Sequence, residues 1–303
     1  MEVVPLSELP SRAAGLPAET RGRVMLLRDR LLAPRPLLAG LAFGRAYVMG
    51  ILNVTPDSFS DGGRGGDPVA AALAMAAAGA DIVDIGGEST RPRATPVDAA
   101  EELARVGPVL AGLAGSGLTT SIDSRKAVVM AAALDAGVAI VNDVSALTHD
   151  PAAVALVAAR GCPVVLMHAR GDPATMQDAP VYDDVVADVF DWLEARIEAC
   201  VEGGIARARI IVDPGIGFGK TLAHNLALLR DIGSFQALGC PVLLGVSRKK
   251  LIGTLSGEAP ATERLGGSLA LALHGIARGV QIVRVHDVAA TVQAIALWRA
   301  ARG

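Results

Sequence analysis

Three cysteines in 303 residues, Cys162, Cys200 and Cys240, are too few, too scattered and odd in number for a disulfide framework or a zinc site. Cys162 and Cys240 open predicted strands, where a small buried hydrophobe suffices, and a reducing cytoplasm is the expected setting. Aromatic residues make up only 3% of the chain although hydrophobic residues reach 51%. Much of that apolar content is helical alanine. Uncharged runs such as Pro68 to Ala80 fall short of the roughly 20 residues a spanning helix needs, so no membrane association is expected. The opening MEVVPLSELPSR has no apolar core flanked by basic residues, and no secretory signal is expected. Net charge is −3 and no basic block stands out, which excludes nucleic acid as an expected partner. No pair of His or Cys residues has metal-ligand spacing on one helix.

Against these absences stands one repeated pattern. Short apolar runs end in polar clusters, as YVMGILN does at Asn53, ADIVDIGG at Glu88, LTTSID at Asp123, ARIIVDP at Gly215 to Lys220 and PVLLGV at Ser247 to Lys249. A strand buried on both faces reads as a continuous Val/Ile/Leu run. Strands are expected near 47–52, 80–86, 118–123, 138–142, 163–167, 209–213, 241–246 and 281–285, with helical patterns between them. Glycines close many of those helices. Eight such units argue for an α/β fold, a single (β/α)8 TIM-type barrel, with an open doubly wound sheet as the alternative. Residues 46–303 form the expected barrel. Residues 1–45, with five prolines and no sustained period, read as an N-terminal extension that packs loosely on it.

Two near-motifs fail on inspection. Pro214 stands where a P-loop needs its first glycine, and Lys249 replaces the last glycine of a nucleophile elbow. The strand ends carry more. Asp123, Asn142 and Asp213, aimed into one barrel mouth, suit a flat nitrogen-rich heterocycle, because a carboxylate accepts from an amino group beside a ring N–H. The bland reading of the two aspartates is helix N-capping. A second group is cationic. Arg248 and Lys249 follow the seventh strand and Arg284 and His286 end the eighth, where barrels often bind phosphate near a helix N-terminus. A third group is two polar loops, Asn53 to Gly66 with Phe59, and Glu88 to Pro96 with Thr90 and Arg91, which suit lids.

The stretches MGILNVTPDSFSDGG, GADIVDIGGESTRP, SIDSRKA, AIVNDVSAL, VVLMHARGDPATMQ, IIVDPGIGFGK, LLGVSRKKLIG and VRVHDV together resemble the dihydropteroate synthases, in family order from Tyr47 to Trp298. The resemblance implies a barrel that condenses 6-hydroxymethyl-7,8-dihydropterin pyrophosphate with p-aminobenzoate, assisted by Mg²⁺, in a homodimer. It implies that Asp123, Asn142, Asp213 and Lys249 hold the pterin, with Met167 and Gly217 in its pocket. By the same resemblance Arg284 and His286 grip the pyrophosphate, Thr90 contacts that substrate, and Asn53 sits at the Mg²⁺ end. Phe59, Arg91, Pro92, Phe218 and Ser247 resemble the p-aminobenzoate pocket. Asp123, Asp213, Lys249 and Arg284 are the expected catalytic set. Arg93 departs from the glycine common after ESTRP. Two other readings are a pterin-binding methyltransferase domain of the same barrel family and a non-catalytic paralogue. A methyltransferase has no need of the cations in Ser247-Arg248-Lys249 and Arg284-Val285-His286, and a paralogue should have lost part of the set.

Overall fold

A computed structural model describes residues 5–55, 66–89, 97–171 and 180–302. Among these residues eight parallel strands follow one another with helices between: β1 Tyr47–Asn53, β2 Ile82–Gly86, β3 Thr120–Asp123, β4 Ile140–Asp143, β5 Val164–Met167, β6 Ile210–Asp213, β7 Leu243–Leu244 and β8 Ile282–Val285. The order β6-β5-β4-β3-β2-β1-β8-β7 leaves only the β6–β7 seam, which a single bridge between Val212 and Val242 spans. There the Val212 N–H donates to the Pro241 carbonyl at 2.9 Å. The chain is thus a (β/α)8 barrel. β7 is shorter than its apolar run predicts. Pro241 has no N–H to give a ladder, and β7 pairs with β8 over only two residues.

Strand side chains alternate with period 2, so residues two apart share a face. That rule places the site. Ile82, Ile140, Val165, Ile211 and Ile282 form one apolar layer inside the barrel with Tyr47, Met49 and Leu243. Two residues further along the same strands stand Asp84, Asn142, Met167, Asp213 and Arg284. A polar tier therefore lies directly above an apolar floor. The floor excludes water from below, and the tier faces the ends of the strands where barrel sites are built.

The segment before Tyr47 differs from the loose extension expected. It holds α1 Leu9–Ala13 and α2 Ala18–Leu32, and α2 buries none of its residues. α2 is held by charge: Arg23 and Arg30 pair with Glu194, and Arg30 with Glu198, on the helix Val185–Glu202. Arg35 then donates to the Gln236 carbonyl at 2.6 Å. Leu38 and Leu41 finally tuck beneath the apolar floor, where they are 1% and 6% exposed. An ionic contact needs no hydrophobic period, which is why none was legible. All three cysteines are buried and free. Among the described residues no helix is long and apolar enough to cross a membrane.

Candidate active site

The polar tier is organised around Arg284 on β8. Its Nε donates to Asp84 Oδ2 at 2.6 Å, and its Nη2 donates to Asp123 Oδ2 at 2.6 Å. Asn142 Nδ2 donates to the same Asp84 oxygen at 2.9 Å. Asp84 is fully buried and Asp123 is 4% exposed, whereas about a fifth of the Arg284 side chain (21%) reaches the mouth. Burial disfavours the Arg284 charge, but Asp84 and Asp123 outweigh it and hold its pKa above the ordinary arginine value. For Asp123 burial wins: it pushes the carboxyl up to about 7 against the pull of Arg284, with Asp84 adding like-charge repulsion. The Oδ1 atoms of Asp84 and Asp123 are buried and have no partner among the described residues. Such acceptors are costly unless a ligand donor meets them.

Asp213 ends β6 and is 6% exposed. Its Oδ1 accepts from the Gly215 N–H at 2.7 Å. Burial raises its pKa, opposed by that bond and by Lys249, Lys220 and Arg284. Neither strand-end aspartate is a helix cap. After β6 the helix Leu222–Arg230 is capped by Thr221, and after β3 the helix Ala127–Asp135 starts at Lys126 with no side-chain cap. The capping reading is therefore excluded for both.

The loop after Asp213 turns back over the barrel at Gly215, Gly217 and Gly219, all with positive φ. At Gly217 the φ of 86° favours glycine, and a Cβ there would stand 3.2 Å from Lys249 Cδ, so the lysine stem would have to shift. The Lys249 stem passes over it and sets the ammonium 4.0 Å from the centre of the Phe218 ring. Met167, at the end of β5, is 4% exposed and pairs in register with Asp213.

On the β7–β8 side Ser247 Oγ accepts from the His286 N–H at 3.1 Å and lies 3.0 Å from His286 Nδ1. The expected cation cluster divides here. Arg248 does not face the mouth as a lone charge: its Nε and Nη2 pair with Asp287 at 3.0 and 2.5 Å. Its backbone sits at φ 57°, held by Ser268 and Arg264. Arg248 therefore ties two loops together, with its charge already paired to Asp287. The helix Val288–Ala300 begins directly after, with no side-chain cap on its first N–H groups.

Asn53 ends β1, half-buried beside Gly86 in register. Phe59, Thr90, Arg91, Pro92 and Arg93 lie outside the described residues. The stem of the second loop is described. Glu88 accepts from Arg125 and Lys126 at 3.0 and 2.8 Å, and its carboxylate also takes the Val97 N–H at 3.1 Å. Those bonds outweigh burial and hold its carboxyl below the usual range.

Three residues of this region went unread in the sequence. Asp84 left a signal, an acid in the middle of the apolar strand IVDIG. Lys220 lies in the failed P-loop, and His168 follows β5 within the stretch VVLMHARGDPATMQ with no signal of its own.

A family model described as pterin binding enzyme matches residues 49–286. The dihydropteroate synthase of Neisseria meningitidis serogroup B is 52% identical over 268 residues, covering 86% of this chain and 94% of that protein. The solved structure of the Xanthomonas albilineans dihydropteroate synthase with 4-aminobenzoic acid superposes with a TM-score of 0.82 at 48% identity, covering 89% of this chain and 99% of that one. The same organism's enzyme in complex with 7,8-dihydropteroate superposes with a TM-score of 0.80 at 46% identity, again covering 89% and 99%.

Proposed function

We infer, for a chain that belongs to the dihydropteroate synthases within the pterin-binding enzymes, that the polar tier is where its two substrates meet. The enzyme is a transferase. It condenses 6-hydroxymethyl-7,8-dihydropterin pyrophosphate with p-aminobenzoate to give 7,8-dihydropteroate and pyrophosphate. The observation that carries the placement is a pair of buried carboxylate oxygens with no partner among the described residues, Asp84 Oδ1 and Asp123 Oδ1, in a tier already ordered by Arg284 and Asn142.

In our reading the pterin lies flat over Met167. Its ring N–H and amino groups donate to Asp213 and Asp123, and Asn142 and Lys249 complete the contact. A carboxylate matches an amino group beside a ring N–H as two parallel acceptors. The pyrophosphate takes His286, the remaining N–H groups of Arg284 and the open N-terminus of the helix Val288–Ala300. Ser247 orients the His286 ring. Phe218 and Ser247, with Phe59, Thr90, Arg91 and Pro92 of the two loops, serve p-aminobenzoate and the phosphate end.

The chemistry follows from these charges. The bond between the exocyclic carbon and the pyrophosphate oxygen breaks, and its electron pair leaves with the pyrophosphate. The cation clamp neutralises that leaving group. The dihydropterin delocalises the positive charge, which Asp123 and Asp213 stabilise from beneath. The amine nitrogen of p-aminobenzoate then donates its lone pair to the carbon, and the extra proton is lost to solvent. No covalent enzyme intermediate is required.

Mg²⁺ fits this site as a partner of the substrate. Among the described residues no group of three His, Cys, Asp or Glu side chains could cage a metal. Mg²⁺ commonly keeps its waters and takes one or two protein oxygens plus phosphate oxygens. Asn53 would supply such an oxygen, and the bound ion would add charge neutralisation on the leaving group.

The same reading places the enzyme in the cytoplasm, consistent with three free buried cysteines. In the same reading it acts as a homodimer. Residues 46–303 are the catalytic barrel and residues 1–45 a brace beneath it. A coupled assay for pyrophosphate release tests the whole. Release should require both substrates and fall sharply in Asp123→Asn. Release without p-aminobenzoate would overturn the assignment.

A further inference from the structure

Lys220 is buried, 3% exposed, and forms no ion pair among the described residues. Its Nζ donates to the carbonyls of Gly215 and Phe218 at 2.9 Å each and of His168 at 3.2 Å, and it lies 2.9 Å from His168 Nδ1. Burial, together with Lys220 itself, pushes the His168 ring down to about 3, so it stays neutral. Burial likewise lowers Lys220 to about 7, against the attraction of Asp213. Burying an ammonium without a carboxylate is unfavourable, and an apolar side chain would fill the space more cheaply. The bonds that Lys220 makes have a second role.

They join two backbones. One is the chain leaving β5 at His168 to Arg170, and the other is the arch 214–219 that follows β6. The arch runs against the β5 exit so closely that a Cβ on Gly215 would strike the His168 carbonyl, and one on Gly219 the Arg170 carbonyl. The Tyr182 hydroxyl fastens the far end, donating to the Gly219 carbonyl at 2.9 Å. The arch carries two groups of the site. Its Gly215 N–H holds Asp213, and its Phe218 ring lies under Lys249. Asp213 is also fixed by β6. Phe218 is carried by the arch itself, beside Gly217, whose N–H donates to Asn225 Oδ1 at 2.7 Å.

We propose that Lys220, partnered by His168, is a positioning residue for the aromatic amine: it locks the 214–219 arch to the end of β5 and so keeps the Phe218 ring in place beneath Lys249. The proposal rests on the assignment of Phe218 to p-aminobenzoate made above. It separates Lys220 from a general prop, because the two substrates should feel its loss unequally.

The test is Lys220→Met, with steady-state kinetics for each substrate, calorimetry with a pterin analogue and amide hydrogen exchange. An arch that is competent a tenth of the time raises the KM for p-aminobenzoate by about tenfold. The affinity for the pterin analogue should stay within about threefold, since β6 still holds Asp213. Amides across 214–219 should exchange about tenfold faster while those of the β-strands do not. A KM for p-aminobenzoate within about twofold of wild type, or equal losses for both substrates, overturns the proposal. If Lys220→Met does not fold, Lys220→Gln and His168→Leu, which remove fewer of the bonds, carry the same comparison. A wild-type enzyme that releases no pyrophosphate would refute the assigned reaction instead. The claim about the arch would then be decided by hydrogen exchange alone, and unchanged exchange in the variant would end it.

Discussion

Arg284 and Asp84 stand 200 positions apart in the chain, yet the Nε of one meets the Oδ2 of the other at 2.6 Å inside the barrel. Asp84 has no exposure at all, and it also receives the Asn142 amide. One acid thus orients the arginine and the amide of the polar tier. Asp123, which shares the arginine, keeps its second oxygen for a ligand.

Removing Asp84 should therefore damage the fold as well as the site. Asp84→Ala leaves Arg284 with one carboxylate and Asn142 without its acceptor. Breaking a buried pair by deleting one partner costs about 3–5 kcal/mol. Urea denaturation of the ligand-free variant should show a loss of that order. A loss below about 1 kcal/mol, typical of an exposed pair, would mean that the Arg284 charge is not buried in solution.

The raised Asp123 carboxyl predicts an acid limb in activity. The residue must be ionised to face a cationic pterin, and its pKa in the free site is about 7. Protonation grows as pH falls through that value, so kcat/KM should drop tenfold per unit well below it. The same shift has a consequence for stability. A carboxyl whose folded pKa lies above its unfolded value favours the fold most at low pH, and that contribution is lost as pH rises through about 7. Asp123→Asn should lose both dependences along with most of the rate. An unchanged acid limb in the variant would assign the titration elsewhere.

Asp213→Asn should weaken a pterin analogue. An amide sets an NH₂ against a ring donor, and a mispaired buried group costs about 1–3 kcal/mol, or about 5–150-fold in affinity. Calorimetry reads this directly. An affinity within about twofold of wild type would remove Asp213 from the pterin contact.

His286 and Arg284 should separate. His286→Ala should weaken binding of pyrophosphate by about tenfold and leave a phosphate-free pterin nearly untouched. Arg284→Ala should weaken both, because its guanidinium also orders Asp84 and Asp123. Equal losses of both ligands in His286→Ala would show that its bond to Ser247 supports the fold and not the anion.

Asn53→Ala tests the metal end. The variant should need about tenfold more Mg²⁺ for half-maximal pyrophosphate release, with the affinity for p-aminobenzoate in the free enzyme unchanged. An unaltered Mg²⁺ requirement would move the ion away from β1.

Much of this is legible in the sequence. Eight apolar runs, each ending in polar residues, announce a closed barrel and its functional end, because strand burial and strand-end chemistry are written over a few consecutive residues. Asp123, Asn142 and Asp213 stand out that way and Met167 through the family resemblance, and the barrel sets all four at the same end of neighbouring strands. Asp84 was missed although its alternation with Ile82 marked it as inward-facing. Arg248 reads in the sequence as a free cation after a strand, because its partner Asp287 lies 39 positions away.

What the sequence determined by itself was therefore local: strand periodicity, the polar residues at strand ends, and motifs specific enough to name the family. Tertiary structure alone decided the partners. Closing the ring brings β8 beside β1 and lets Arg284 choose Asp84 and Asp123. Packing the β5 exit against the β6 arch turns Lys220 from a residue in a failed motif into a cross-link. The N-terminal segment docks through Arg23, Arg30 and Glu194, charges that carry no period along the chain. A side chain's pairing depends on which distant backbone the fold sets next to it, and that information is absent from any short window of residues.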